Sequence, residues 1–179
     1  HYVDGEIKSR EDMGNLDAPP NLDDQLNYLE QYLEAAQGTG VGVIANFTSF
    51  FDSTMLAIGV NDSFMMFYDD LPFMEELMDI LLENQVKTMQ AVCDRFGDDL
   101  ALVMVNDDIG YNSGLFINPD LFMKLFPERM KRLIAPAKEH GLLTLMHTDG
   151  KMDNILPILY DVGFNVAHPI EPESNDIVE

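Results

Sequence analysis

Residues 142–172, LLTLMHTDGKMDNILPILYDVGFNVAHPIEP, decide the fold. Leu142–Met146 is a short apolar run, the pattern of a parallel strand covered on both faces. The polar loop His147-Thr148-Asp149-Gly150 follows at once. Residues 154–161 read as helix, with Ile155, Leu156, Ile158 and Leu159 on an apolar side and Gly163 as a C-terminal stop. Asn165–Ala167 opens a second strand, and His168, Pro169, Ile170 and Glu171 leave its end. Two strands joined by a helix run parallel. In parallel α/β folds the chemistry gathers where strands end and helices begin. His147, Asp149, His168 and Glu171 all fall there, so this stretch is the expected wall of an active site.

Working back towards the start, residues 119–140 read as a helix that Asn118-Pro119 opens and Pro127 kinks, with Gly141 ending it. Leu100–Val105 is a strand, and Asn106-Asp107-Asp108-Ile109-Gly110 leaves its end. Pro72 opens a long helix to Phe96 on which Met74, Met78, Leu81, Met89, Val92 and Phe96 keep the helical period. A methionine stripe of this kind is core filler more often than a metal or heme box, and Cys93 belongs to it. Residues 48–59 read as loop plus short helix, and Asp62 as the cap of a segment through Tyr68. Val41–Phe47 reads as a buried strand. Asn21 is placed to cap a helix with Leu22, Leu26, Leu29 and Leu33 on one face, ended by Gly38 and Gly40. Residues 11–20 read as a connector, and Asp4-Gly5 within Tyr2–Lys8 as a hairpin turn.

The result is one α/β domain over residues 1–179, with an N-terminal hairpin and helix (1–40) and βα units (41–179). About four parallel strands with flanking helices make half of a (β/α)8 barrel, which needs roughly 250 residues to close. The missing half is deleted, supplied by a second copy, or dispensed with in an open sheet. The chain starts at His1 without Met and stops at Ile177-Val178-Glu179, which reads as the opening of another helix, so a place within a longer protein is an expectation.

Ten Lys+Arg against thirty-two Asp+Glu give a net charge of −22. Such a surface repels nucleic-acid phosphates and anionic lipid, so neither is an expected partner. The single cysteine excludes an internal disulfide and any paired-Cys zinc motif. With no apolar run of about 18 residues and no signal-peptide pattern, the expected location is the cytoplasm. No dinucleotide fingerprint, phosphate loop or nucleophile elbow occurs.

The strand ends collect Asn46 and Thr48, then Asn106, Asp107 and Asp108, then His147 and Asp149, then His168 and Glu171. One imidazole with one or two carboxylates suits zinc or another divalent ion that keeps a ligand position open. A carboxylate with a raised pKa acting as general acid is the alternative. Each residue also has a structural role open to it: Asp107 or Asp108 capping a turn, His147 bonding a carbonyl, His168 packing before its proline.

Three segments resemble one family. DDIGYNSGLFINPDLFMKLFPERMKRLI (107–134) is similar to the Asp-Asp-x-Gly segment and proline-interrupted helix of the uroporphyrinogen decarboxylase family. SFFDSTMLAIGVNDSFMMFYDDLPFMEELMD (49–79) resembles the segment before it. HTDG (147–150) with LPILYDVGFNVAHPIEP (156–172) resembles the His-x-[Cys/Asp]-Gly strand end and the next βα unit. The resemblance implies a TIM barrel and two kinds of activity: cofactor-free porphyrinogen decarboxylation, or zinc-dependent methyl transfer with a corrinoid on a partner protein. For the decarboxylases it implies an early arginine-rich segment and an early catalytic Asp that this sequence does not contain, and a tyrosine near Met55. Their substrate carries eight carboxylates, whereas Arg10, Arg95, Arg129 and Arg132 look peripheral. For the methyltransferases it implies zinc on His-x-Cys plus a later Cys. His147 keeps the first position, Asp149 replaces the second, and the third would lie beyond Glu179. The nearest pattern is the branch with His-x-Asp-Gly and His-Pro-x-Glu-Pro, associated with methyl transfer or O-demethylation.

The expected roles follow. His147 and Asp149 hold the metal, Asp107 and Asp108 act in catalysis, and Asn46, Met55, Asn106, His168 and Glu171 meet a small-molecule substrate. A corrinoid protein is the expected partner. A self-associating half-barrel, a homodimer without activity, is the non-enzymatic alternative.

Overall fold

The computed structural model describes residues 4–16 and 21–176. Four strands form one parallel sheet: β1 (Val43–Thr48), β2 (Leu100–Asn106), β5 (Thr144–His147) and β6 (Val166–His168), in the order β1-β2-β5-β6. Helices α2 (Phe50–Ile58), α3 (Val60–Asp69) and α4 (Leu71–Phe96) connect β1 to β2. Helices α5 (Pro119–Leu125) and α6 (Pro127–Glu139) connect β2 to β5, and α7 (Leu156–Val162) connects β5 to β6. Helix α1 (Leu22–Ala36) precedes β1. This is the partial (β/α)8 barrel expected from the alternation. Among the described residues, no helix is long and apolar enough to cross a membrane.

Local chemistry sets the helix ends. The Asp70 carboxylate accepts the Phe73 N–H at 3.1 Å and, with Pro72 in the first turn, starts α4. Asn118 accepts the Asp120 N–H at 2.8 Å and starts α5. Pro127 separates α5 from α6, as a proline inside a helical pattern should. Gly163, at φ +111°, ends α7.

The core lies between the sheet and its helices. Ala45, Phe47, Val103, Val105, Thr144 and Met146 face the helices and are buried. They meet Phe50, Met74, Leu77, Met78, Met89, Phe122, Phe126 and Met130 in one cluster. Phe122 and Phe126 stack at 4.6 Å. The methionine stripe of α4 is core, and Cys93 lies in it, its thiol pushed up to about 11 chiefly by burial. Cys93 should therefore resist a soluble disulfide reagent at pH 8 in the native protein and react fully in denaturant. Fast labelling of the native chain would contradict that placement.

Several expectations change. The strands are not covered on both faces. Ile44 is 45% and Val166 41% exposed, and both belong to the face turned away from the helices. In a closed barrel the opposite strands cover that face, and a four-stranded sheet has no opposite wall. Val41 lies outside β1 and is exposed. Residues 4–8 form no hairpin: the Ile7 N–H bonds the Ala57 carbonyl, and Gly5 packs against the α2–α3 junction, where a side chain would collide with the Ile58 backbone. Tyr2 and Val3 lie outside the described residues. The connector contains a 3₁₀ turn, Asp12–Asn15. Asn21 precedes α1 but accepts no cap bond, its amide donating instead to the Asp24 carboxylate. Asp62 sits inside the first turn of α3 rather than at its cap. A small hairpin, β3 (Gly110–Tyr111) with β4 (Gly114–Leu115), fills the connection after β2. Its turn is Asn112-Ser113.

Candidate metal centre

Parallel pairing places the polar strand ends in rows. Thr48 pairs with Asn106, Asn106 with His147, and His147 with His168. One row deeper, Asn46, Met104, Leu145 and Val166 are register partners. Alternation along each strand puts both rows on the face away from the helices. The open face therefore has an apolar floor and a polar rim at the C-terminal ends of the strands.

The rim is hydrogen-bonded. The Asn106 amide donates to the Asn46 carbonyl oxygen, and the Gln85 amide donates to Thr48 Oγ1 at 3.0 Å. His147 Nδ1 lies 3.0 Å from His168 Nδ1. The loop after β5 is pinned from several sides. Thr148, fully buried, donates its N–H to the His168 carbonyl at 3.0 Å and accepts the Ile109 N–H at 3.2 Å. The Asp149 N–H donates to Asp108 Oδ1 at 3.2 Å, and the Gly150 N–H to Glu171 Oε2 at 2.9 Å. Asn175 bonds the Met152 N–H and the carbonyls of Gly150 and Glu171.

Asp108, His147 and Asp149 each offer a ligand atom, and these lie within 4.8 Å of one another. Metal–ligand bonds of about 2 Å place ligand atoms roughly 3–4 Å apart. Asp149, an exposed side chain, has its Oδ1 3.9 Å from His147 Nε2. Two carboxylates and one imidazole form a borderline-hard donor set that suits zinc, manganese or iron(II) and leaves positions open. Asp52, in the first turn of α2, has its pKa raised by burial and then by the charge of Asp108, so it borders the same acidic group.

A family model for uroporphyrinogen decarboxylase (URO-D) matches residues 2–171. The chain belongs to the uroporphyrinogen decarboxylase family. A methyltransferase from Methanosarcina mazei is similar in structure, with a TM-score of 0.64 at 17% identity. The match covers 84% of this chain and 47% of that one, so the chain spans about half the length of this relative. The likeness is one of fold. No curated protein matches the chain at a significant level.

In this family member the structure brings together His147, Asp149, Asp108, His168, Asn46 and Asn106 on the open face or its rim. Glu171 joins them by holding the Gly150 amide. Two expected site residues lie away from that face. Met55 is 3% exposed on the core side of α2, so it has almost no surface to offer a substrate. Asp107 is 1% exposed and points at the start of α2, where its Oδ1 accepts the Asp52 N–H at 2.7 Å. Asp108, the next residue, instead reaches the Asp149 N–H on the rim. Asp107 does the work of a helix cap, since Ser49 caps nothing with its side chain. Thr148, Asn175 and Asp52 were not expected in the site. Nothing in their spacing marks them, because their roles depend on contacts across the loops.

Proposed function

We propose that this chain belongs to an enzyme that moves a methyl group with the help of a divalent metal, zinc first among them. A corrinoid on a partner protein is the other party to the transfer. The observation that supports the reading is the convergence of Asp108, His147 and Asp149 at the C-terminal ends of the parallel strands. When bound there, the metal supplies Lewis-acid activation of the heteroatom that carries or receives the methyl group.

The chain's own residues do the rest. Asp108 positions Asp149 through its backbone amide while offering its remaining oxygen to the ion. Met104, Leu145 and Val166 give a floor for the apolar body of a small substrate. The Asn46–Asn106 pair presents amide groups that orient a polar substituent. The setting this reading assumes is the cytoplasm.

The decarboxylase alternative calls for cations to meet a polycarboxylate. Arg10 pairs with Asp70 and Glu76, Arg95 with Glu30, Arg129 with Asp79 and Arg132 with Glu83, so each of these cations is already engaged by carboxylates. The rim itself is acidic. Both observations favour a neutral or cationic substrate and methyl transfer.

Metal analysis of the purified chain tests the reading. The wild type should bind about one zinc ion per chain. His147→Ala should lose nearly all of it with its fold intact by circular dichroism. Stoichiometric zinc retained by His147→Ala would assign the metal elsewhere, and turnover of uroporphyrinogen without metal would favour decarboxylation.

A further inference from the structure

We propose that His168 is a positioning residue for His147. It accepts the Nδ1–H of His147 and so keeps the His147 Nε2 lone pair directed at the space between Asp108 and Asp149. The two Nδ1 atoms are 3.0 Å apart, a hydrogen-bond distance, and only one proton fits between them. In a pair of neutral imidazoles one ring is then the Nδ1–H tautomer and the other the Nε2–H tautomer.

The surroundings select which is which. His147 Nε2 is 3.9 Å from Asp149 Oδ1, beyond hydrogen-bond reach. At that distance the carboxylate makes no hydrogen bond to Nε2, whereas a proton on Nδ1 has His168 at 3.0 Å. His168 is exposed, so water can serve its own Nε2–H. The register pairing of His147 with His168 and the Thr148 N–H bond to the His168 carbonyl hold the rings together, with centroids 5.3 Å apart.

A metal ligand imidazole must present a bare nitrogen, and its other N–H is held by an outer partner that fixes tautomer and ring orientation. Here that partner is an imidazole. The tautomer assignment stands on the geometry alone, while its consequence for metal affinity rests on the function proposed above.

Long-range proton–nitrogen correlation spectra of the metal-free, nitrogen-15-labelled chain at pH 8 read each ring directly. His147 should be the Nδ1–H form and His168 the Nε2–H form. In His168→Ala, His147 should shift towards Nε2–H. In His168→Asn, whose side-chain oxygen can accept the same bond, it should stay Nδ1–H.

Zinc affinity, measured by competition with a chromophoric chelator, should fall about 10–100-fold in His168→Ala. His168→Asn should restore most of it. An Nε2–H His147 in the wild type overturns the proposal. So does unchanged zinc affinity in His168→Ala while His147→Ala loses the metal, and in that case the metal reading survives. A wild type that shows the expected tautomers but binds no zinc leaves the pairing intact and removes the metal reading. Equal losses in His168→Ala and His168→Asn, without a tautomer change, would make His168 a ligand itself and overturn the positioning role.

Discussion

Gly150→Ala is expected to destabilise the folded chain by about 3 kcal/mol or more and to weaken zinc binding with it. Gly150 sits at φ +96°, where an L side chain is strained. An added Cβ would also lie 2.8 Å from both the carbonyl carbon and the oxygen of Tyr111, closer than such atoms pack. Those are backbone atoms of β3, which cannot swing aside as a side chain could. Relief requires the 147–151 loop to lift from β3. That breaks the Gly150 N–H bond to Glu171, the Asn175 bond to the Gly150 carbonyl and the Lys151 N–H bond to the Tyr111 carbonyl. Asp149 is the neighbouring residue and moves with them. Gly141→Ala serves as the control: its φ is +71°, but a Cβ there meets nothing within 4 Å. It should cost about 1 kcal/mol and leave zinc binding unchanged. Urea denaturation and zinc titration of both variants separate backbone strain from collision. Equal losses of stability would show that Tyr111 does not set the loop.

Much of this arrangement was legible in the sequence. The strand–loop–helix–strand reading of residues 142–172 holds in the structure because apolar runs, a helical period and a glycine stop agree with one another. The same agreement placed α4, and the proline between α5 and α6. What the sequence did not show was which face of each strand would be covered. Leu145 and Met146 are both apolar, yet Met146 packs under the helices while Leu145 lines the open floor. Composition cannot separate them when the expected cover is more of the same sheet. The polar cluster was legible at the level of strand ends and no finer. Asp107 and Asp108 are chemically identical neighbours, and only their contacts in the fold separate them, one with the Asp52 N–H and the other with the Asp149 N–H on the rim. Thr148 and Asn175 are ordinary polar residues in sequence, and they become pins only when three loops meet.

Asp107→Asn should flatten the pH dependence of stability and make the metal-free protein more stable at pH 8. Burial, opposed by the Asp52 N–H bond, pushes the Asp107 carboxyl up to about 7, from 3.8 in an ordinary environment. Below the lower value both the folded and the unfolded chain hold the proton, and the group costs nothing. As pH rises towards 7 the unfolded chain releases its proton while the folded chain keeps it, so stability falls. Above about 7 the cost is complete, roughly 4 kcal/mol at about 1.4 kcal/mol per tenfold change in proton affinity. Asparagine carries no charge and still accepts the Asp52 N–H through Oδ1. Its Nδ2 would stand in place of the buried Asp107 Oδ2, beside the buried Ser49 hydroxyl at the start of α2. The variant's stability relative to wild type should therefore rise by about 2–3 kcal/mol between pH 5 and pH 8, read by urea denaturation with a chelator present. Carboxylates such as Asp4, Asp12 and Asp70, held low by Lys8, by the Lys8 amide and by Arg10, titrate alike in both proteins and cancel in that difference. A parallel pair of stability curves would mean that Asp107 is ionised at no cost, and that burial does not hold its proton in the folded chain. Zinc binding that survives Asp107→Asn, beside its loss in His147→Ala, would place the chemistry on the rim rather than beneath it.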